Sequence, residues 1–312
     1  MEIQKIERKE TKESPLTRFL AFSSVSVIVT GPFSCVCFAE DAALKKEERK
    51  RLFLCEMKQS DYITGASREK VLQAAKRAAQ IPGVEQIVVY QCCTDYLTHM
   101  DYETYLTQYF IALKRNIRVY TFQRGSASLN YSRKKEVAEQ VKKDAECIAD
   151  RKKGEAGFVA AGVAFADETE VRSFQKKEKQ MSLTQAGRPE TQQKRRMADF
   201  AAVCSRLQNT GVLTCIFSPG SCAGALDVAG LKNYEKIYMS RLTDSELITG
   251  CSQAFAEEAA RLAKEIGTEQ IALIGTPITR LLYTDFKETA EILKAQGFLV
   301  ELFDTNGYET TE

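Results

Sequence analysis

The sequence has little of two features that would point to common kinds of enzyme. His99 is its only histidine, which argues against a histidine-rich metal site and against a Ser-His-Asp triad. We expect His99 itself to be a surface or loop residue. Neither GxxxxGKS nor GxxxxGKT occurs, so any ATP hydrolysis would have to be performed by another protein.

An excess of one charge and long apolar runs are also lacking. The 44 Lys and Arg residues nearly balance the 42 Asp and Glu residues, for a formal net charge of +2, so nucleic acid is not an expected partner. Basic pairs at 176–177 and 195–196 lack interleaved aromatic residues, which favours a solvated linker. The longest apolar run, 19–37, is broken by serines, Gly31 and Pro32, so no membrane span is expected.

Ten cysteines are the main positive feature of the composition. They are neither regularly paired nor set in a small secreted framework, and no signal peptide is expected, so a disulfide scaffold is disfavoured. A reducing cytoplasm is the expected location. Cysteines there are more often metal-binding or catalytic than cross-linked.

The chain carries an internal repeat. Segments of its first part recur in the same order in its second part. The pairs are GPFSCVCFAED (31–41) with SPGSCAGALDV (218–228), SDYITG (60–65) with SELITG (245–250), GVEQIVV (83–89) with GTEQIAL (267–273), and NIRVYTF (116–122) with GFLVELF (297–303). The repeat predicts a duplicated domain, which agrees with a length of 312 residues.

Each copy is predicted to alternate strands and helices. In the second copy, 212–217 reads as a buried strand, a helix should begin near Ser221, and DSELITG should open one helix that Gly267 closes. A strand at 271–274, a helix capped by Thr284 or Asp285 and a last strand should follow. This pattern predicts an α/β fold with two Rossmann-like parallel-sheet domains related by internal duplication, at 1–125 and 201–312. The segment 126–200 is expected to be a helical and polar linker.

Three cysteines occupy the edge of the predicted sheets where ligands gather. Cys35 and Cys222 each follow a strand and lie in the first turn of a helix, a position expected to lower the thiol pKa. Cys92 follows the strand QIVVYQ, so it should share a sheet edge with Cys35. Cys93 should point elsewhere. The remaining cysteines favour apolar packing, most clearly Cys37, Cys55, Cys147 and Cys215, with Cys204 and Cys251 intermediate.

These motifs resemble the N-terminal domain of nitrogenase component 1-type oxidoreductases, and the resemblance covers nearly all of both copies. The matching order is Gly-Pro-x-x-Cys, then an acidic-Ile-x-Gly turn, then a strand ending in cysteine, with an aspartate further on. It is present as GPFSC (31–35), DYITG (61–65), Cys92 and Asp101, and again as SPGSC (218–222), RLTDSELITG (241–250) and Asp285. Helix capping alone also explains the two aspartates.

The resemblance implies that the matched cysteines ligate an iron–sulfur cluster, expected to be of the 4Fe-4S type. Cys35 and Cys92 would be ligands from the first copy and Cys222 from the second, whereas Thr276 stands at the position corresponding to Cys92. The most N-terminal cysteine of the family has no clear match. The fourth ligand is open between Cys251, Cys204 and an acid such as Asp227, with Cys251 taken as the metal ligand.

Two functions follow as expectations. The first is an oxidoreductase-type redox protein that takes electrons from a separate P-loop ATPase iron protein and passes them to an unknown substrate or partner. The second is a non-catalytic scaffold or interaction subunit of the cofactor-assembly type, without a functional cluster. A further component 1-like subunit or a homodimer is an expected partner. The two copies would pair face to face, either within one chain or between the chains of a homodimer. The family's later domains, which hold the catalytic cofactor or tetrapyrrole, are not expected in this chain.

Overall fold

A computed structural model describes most of the chain. The described residues are 3–6, 14–40, 42, 44–124, 131–155, 184–185, 196–220, 222–231, 234–282 and 286–311. Within them the fold is α/β, and its two main sheets are built mostly from parallel strands.

The first sheet contains the strands expected of the first copy. Its strands are β2 (Val25–Gly31), β3 (Leu52–Glu56), β4 (Gln86–Gln91), β5 (Arg118–Gln123) and β6 (Thr184–Gln185). They lie in the order β5-β4-β2-β3-β6, and only β6 is antiparallel to its neighbour. Every residue of β2 and β4 is buried, as expected for central strands covered on both faces.

The second sheet has the same order of parallel strands. Its strands are β8 (Leu213–Ile216), β9 (Ile237–Ser240), β10 (Gln270–Ile274), β11 (Leu299–Phe303) and, from the start of the chain, β1 (Ile3–Lys5). The order is β1-β9-β8-β10-β11, and β1 is antiparallel to β9. We call the regions around the first and second sheets the first and second halves. A third, two-stranded sheet joins β7 (Met197–Ala198) to β12 (Thr310–Thr311).

Helices cover both faces of each sheet. They are α1 (Pro15–Leu20), α2 (Phe33–Glu40), α3 (Lys46–Arg49), α4 (Gln59–Thr64), α5 (Ala66–Gln80), α6 (Cys93–Leu97), α7 (Tyr102–Ala112), α8 (Tyr131–Glu155), α9 (Asp199–Leu207), α10 (Ala223–Val228), α11 (Asp244–Thr249), α12 (Ser252–Ile266), α13 (Pro277–Leu281) and α14 (Phe286–Ala295). Alternate residues of β2 enter opposite layers, since Val27 packs near Leu16 while Ile28 packs with Val71.

The single helix predicted from DSELITG to Gly267 is wrong in one respect, because the structure has two helices there. Gly250 has a φ of 81° and a ψ of 158°, a conformation that ends α11 and that a glycine adopts without steric cost. A new helix, α12, then begins at Ser252 and ends at Gly267, which has a φ of 73°.

The segment expected to be a linker contains a long helix with an apolar face. Val141, Ala145 and Ile148 of α8 are buried, as their spacing predicts, and α8 contacts β5 and α1. Much of the remaining segment lies outside the described residues. Among the helices of the described part, none has the length and apolar character needed to cross a membrane.

The two halves meet through helices that hold matching positions in the two sheets. Helix α2, which follows β2, contacts α10, which follows β8. Likewise α6, which follows β4, contacts α13, which follows β10. Phe33 of α2 lies in an apolar cluster with Phe200 and Leu226, and Cys93 of α6 lies in another with Phe217. Both contacts are apolar and buried, and each belongs to a separate cluster that contains residues of both halves.

Candidate functional site

A glycine at the end of β2 brings two cysteine side chains together. Gly31 has a φ of 136°, and a Cβ placed on it would lie 2.7 Å from the Cys92 Sγ and 3.0 Å from the Cys35 Cβ. Because β2 and β4 are adjacent parallel strands, the residues after them meet at the same edge. Cys35 and Cys92 therefore lie side by side as expected, with Cys92 buried and Cys35 half-buried. We call them the thiol pair.

A buried carboxylate fixes the turn that carries Cys92. Asp95 accepts hydrogen bonds from the Cys92 backbone N–H at 3.0 Å and from the Thr30 hydroxyl at 2.6 Å. The hydroxyls of Tyr62 and Tyr102 donate to its other oxygen, each at 3.1 Å. The Tyr62 hydroxyl is also 4.0 Å from the Cys92 Sγ. Asp95 is fully buried. The four donors replace the hydrogen bonds with water that its carboxylate loses on burial.

The pKa of Cys222 is raised rather than lowered, contrary to the sequence-based expectation, and the pKa of Cys92 is raised as well. Burial raises the pKa of Cys92 well above its usual value, and hydrogen bonding with Cys35 and the charge of Asp95 act in the same direction. Burial likewise raises the pKa of Cys222 to about 12. Loss of hydration outweighs the dipoles of short helices at these positions. Burial also raises the pKa of Asp95, although the hydrogen bond from Thr30 works against this.

The second half repeats the arrangement with one thiol instead of two. Cys222, at the start of α10, interacts with the side chains of Ser218 and Thr276, and Thr276 follows β10 as Cys92 follows β4. The Thr276 N–H donates to the Thr279 hydroxyl at 3.0 Å, in the place of the bond from Cys92 to Asp95. The first-half thiol within electrostatic reach of Cys222 is Cys93.

The three candidates for a fourth ligand lie in different surroundings. Cys251 immediately precedes α12, in the apolar cluster that holds Phe255, and burial raises its pKa to about 11. Cys204 is fully buried on α9, where desolvation raises its pKa to about 12. Asp227 is exposed and accepts a hydrogen bond from the Tyr234 hydroxyl at 2.7 Å.

The structure also places the remaining cysteines, the single histidine and the expected helix caps. Cys37, Cys55 and Cys215 are buried as expected, but the packing role expected for Cys147 is wrong because this residue is exposed on α8. His99 is exposed. Asp101 caps α7, accepting from the Thr104 N–H at 3.0 Å. Ser221, Thr284 and Asp285, named above as helix starts or caps, lie outside the described residues.

The sequence did not point to several residues that surround the thiol pair. Arg124 donates to the Cys35 carbonyl at 2.7 Å and lies 3.8 Å from the ring centre of Phe38. Tyr308 lies in the segment after β11 and packs on the first half's core, where burial raises the pKa of its phenol and the neighbouring Cys92 and Cys35 act in the same direction. The only sequence signal for either residue was its place just beyond a strand. For Asp95 the signal was an acid three residues after Cys92, the first residue beyond the strand, which is a common capping position.

The donor set at the thiol pair fits part of an iron–sulfur ligand set. Two thiols are in place, and the buried Ser34 hydroxyl next to Cys35 has no partner among the described residues. The buried hydroxyls of Thr94 and Tyr308 interact with each other, without standard hydrogen-bond geometry. Yet within the described part of the chain, no group of three or more His, Cys, Asp or Glu side chains could hold a metal ion. Cys222 and Cys251 therefore do not join the pair to form a three-ligand site in this arrangement.

The chain was compared with known proteins. No protein-family model matches it, and no curated protein or solved structure matches it significantly.

Proposed function

We propose that this chain is a nitrogenase component 1-like redox protein that binds an iron–sulfur cluster through Cys35 and Cys92. The observation that carries the proposal is the meeting of these two thiols over Gly31, beside the buried Ser34 hydroxyl, which has no partner among the described residues. Thiolates are the usual ligands of such clusters, and unsatisfied buried donors suit the sulfide ions of a cluster. When bound, the cluster would supply one-electron redox chemistry.

We further propose that the two halves arose by internal duplication. The recurring motifs support this, as does the identical order of the parallel strands in the two sheets. The contacts of α2 with α10 and of α6 with α13 join elements in matching positions. The same pairing would be expected of two homologous subunits related by a twofold axis.

The chain's own residues would prepare the site in three ways. Gly31 leaves room for both thiols, because any larger residue would collide with Cys92. Asp95 holds the Cys92 backbone in the orientation that aims its thiol at Cys35. Arg124 holds the Cys35 carbonyl, which fixes the first turn of α2. Together they keep two ligands in position before any metal arrives.

The remaining ligands and the electron source would come from elsewhere in the assembly. A four-iron cluster takes about four protein ligands, so Cys222 or Cys251 would have to approach the pair, or a further component 1-like subunit or second copy would have to contribute. A separate P-loop ATPase iron protein would donate electrons, because this chain has no phosphate-binding loop. The electrons would pass to a substrate or partner of unknown identity, in the cytoplasm.

Anaerobic reconstitution tests this proposal. The full chain, incubated with ferrous iron and sulfide without oxygen, should gain visible charge-transfer absorption and bound iron. Cys35→Ala and Cys92→Ala should each lose most of both. Cys147→Ala is the matched control, because Cys147 is an exposed cysteine on α8, and it should load like the wild type. A wild-type chain that gains no iron-dependent absorption would refute the proposal.

The second candidate is a non-catalytic scaffold or interaction subunit. Two observations favour it: Thr276 stands where the second half would need a thiol, and Cys222 is packed among apolar residues of the interface such as Phe33. In that case, the chain should capture its subunit partner without iron. Cys35→Ala together with Cys92→Ala should then leave partner binding unchanged, whereas a cluster-bridged complex would fall apart.

A further inference from the structure

The segment after β11 crosses from the second half to the thiol pair in the first. The Gly307 carbonyl accepts a hydrogen bond from the Ser34 N–H at 3.1 Å, directly beside Cys35. Gly307 has a φ of 69°, and a Cβ on it would lie 2.5 Å from the Ser34 Oγ. This approach is close enough that only glycine fits. We call residues 304–311 the C-terminal strap.

Several bonds hold the strap in place. The Asp199 carboxylate accepts hydrogen bonds from the N–H groups of Asn306 and Gly307, both at 2.7 Å. The Asn306 side chain in turn accepts from the Tyr308 N–H at 2.8 Å. Beyond this turn, Thr310 and Thr311 pair with β7. The strap is therefore anchored on both sides of Tyr308, so the position of that side chain is defined.

The Tyr308 side chain packs against the first half's core cluster, which includes Tyr62 and Tyr102. Its hydroxyl is buried, and the Thr94 side chain lies within hydrogen-bonding reach of it, although the pair lacks standard hydrogen-bond geometry. Burial raises the pKa of the Tyr308 phenol, and the neighbouring Cys92 and Cys35 act in the same direction. One hydrogen bond between two hydroxyls uses only one of their two hydrogens, so one donor of the Thr94–Tyr308 pair still needs an acceptor outside it.

We propose that Tyr308 is a positioning residue of the Cys35–Cys92 site: it closes the site from the second half and presents its hydroxyl to the ligand that the two thiols hold. The inference rests on the proposed function in so far as that ligand is an iron–sulfur cluster, whose sulfide ions accept hydrogen bonds. The first half then supplies sulfur ligands and the second half supplies a hydrogen-bond donor. Closure of the site is thereby tied to docking of the halves.

The first test uses the metal-free full chain, so that it does not depend on cluster formation. Alkylation of Cys35 and Cys92 by iodoacetamide is followed by mass spectrometry. Tyr308→Ala should speed alkylation of the pair about tenfold, because it removes the ring that covers the site. Asp199→Ala should do the same, because it removes the carboxylate that holds the strap through the N–H groups of Asn306 and Gly307. Alkylation of exposed Cys147 is the internal reference and should not change. Unchanged rates at the pair in Tyr308→Ala would overturn the proposal.

The second test isolates the hydroxyl with Tyr308→Phe, a change that keeps the ring and therefore the packing. After anaerobic reconstitution, the variant should load iron but release it to a chelator about tenfold faster, as is typical for loss of a group that supports a metal ligand. Its reduction potential should be lower, because hydrogen bonds to sulfur raise it. Tyr105→Phe, the same change on α7 within the same core cluster, should match the wild type.

The outcomes of these tests separate the two proposals. If the wild type binds no iron, the proposed function fails, and the alkylation rates alone decide whether Tyr308 closes the site. If the wild type loads iron and Tyr308→Phe retains the wild-type release rate and potential, the hydroxyl does not face the ligand and the positioning role is refuted.

Discussion

At the scale of single residues, the absence of a side chain at Gly31 lets the side chains of Cys35 and Cys92 lie next to each other. We predict that Gly31→Ala destabilises the fold by about 2 to 4 kcal/mol, because alanine is strained at positive φ and its Cβ would lie 2.7 Å from the Cys92 Sγ. Urea unfolding measures this. Gly65→Ala is the matched control: Gly65 has a φ of 76° but nothing within 4 Å of the added Cβ, so strain alone should cost about 1 to 2 kcal/mol. Equal losses would show that the contact with Cys92 is unimportant.

Asp95 gives a second prediction at this scale. Asp95→Ala leaves four buried donors unsatisfied, among them the Cys92 N–H and the Thr30 hydroxyl, and should cost about 3 to 5 kcal/mol. Thermal and urea unfolding provide the measurement. Asp101→Ala removes an exposed helix cap instead and should cost about 1 kcal/mol. A loss at Asp95 no greater than at Asp101 would contradict the network described here.

The sequence was informative about these residues only where local rules apply. The meeting of Cys35 and Cys92 could be predicted, because both follow strands that run in parallel and adjacent strands end at one edge. The direction of the Cys92 pKa could not, since it depends on how completely the folded chain removes water from the thiol. The place of Tyr308 next to the thiol pair could not be predicted either, because it depends on how the second half, distant in sequence, packs on the first.

At the scale of elements, the Asp144 carboxylate adds a polar contact to the apolar face that holds α8 on the first sheet. Asp144 pairs with Arg118 at 2.7 Å and accepts from the Tyr120 hydroxyl. We predict that Asp144→Asn weakens the docking of α8 by about 1 kcal/mol, seen as faster hydrogen exchange along that helix. Glu139→Gln on the same helix removes only an exposed pair with Lys135 and should change nothing. Equal exchange in both variants would show that Asp144 does not hold α8.

The pH dependence of this contact has a definite sign. Burial works to raise the pKa of Asp144, but hydrogen bonds from Tyr120 and Arg118 outweigh it and lower the pKa below the usual value of an aspartate. An aspartate whose pKa is lower in the folded chain than in the unfolded chain stabilises the fold at pH values above the unfolded-state pKa. That contribution is lost as the pH falls through the folded-state pKa. Exchange along α8 should therefore accelerate below about pH 4 in the wild type. The acceleration should be smaller in Asp144→Asn, and an equal response in both would contradict this assignment.

Elements with a strong apolar periodicity were predicted correctly from the sequence, but the breaks between neighbouring elements were not. The strand expected at 212–217 is present as β8, and the buried residues of α8 are those its spacing indicated. The break between α11 and α12 was missed, because apolar spacing continues across Gly250 and only the backbone conformation there reveals the interruption. Short edge strands such as β1 and β6 carry too few residues for a periodic signal.

At the scale of the whole molecule, the apolar contacts between halves predict cooperative unfolding. Phe33→Ala should cost about 3 to 5 kcal/mol, because Phe33 is fully buried between the halves with Phe200 and Leu226. Hydrogen exchange should accelerate together in β4 of the first sheet and β10 of the second. Phe110→Ala, in the first half's core alone, should give the same joint response if the molecule unfolds as one unit. Loss of protection in only one sheet would show that the halves unfold separately.

The edge strand β1 has a consequence for how the polypeptide is built. Ile3, near the amino terminus, is buried in the second half, while Tyr308, near the other end, packs on the first. Each half is thus completed by a piece of chain that lies far in sequence from the strands it joins. A ribosome releases β1 long before β8 to β11 exist, so the second sheet is completed only after those strands are synthesised. Two fragments divided between the halves should recover native structure only when mixed.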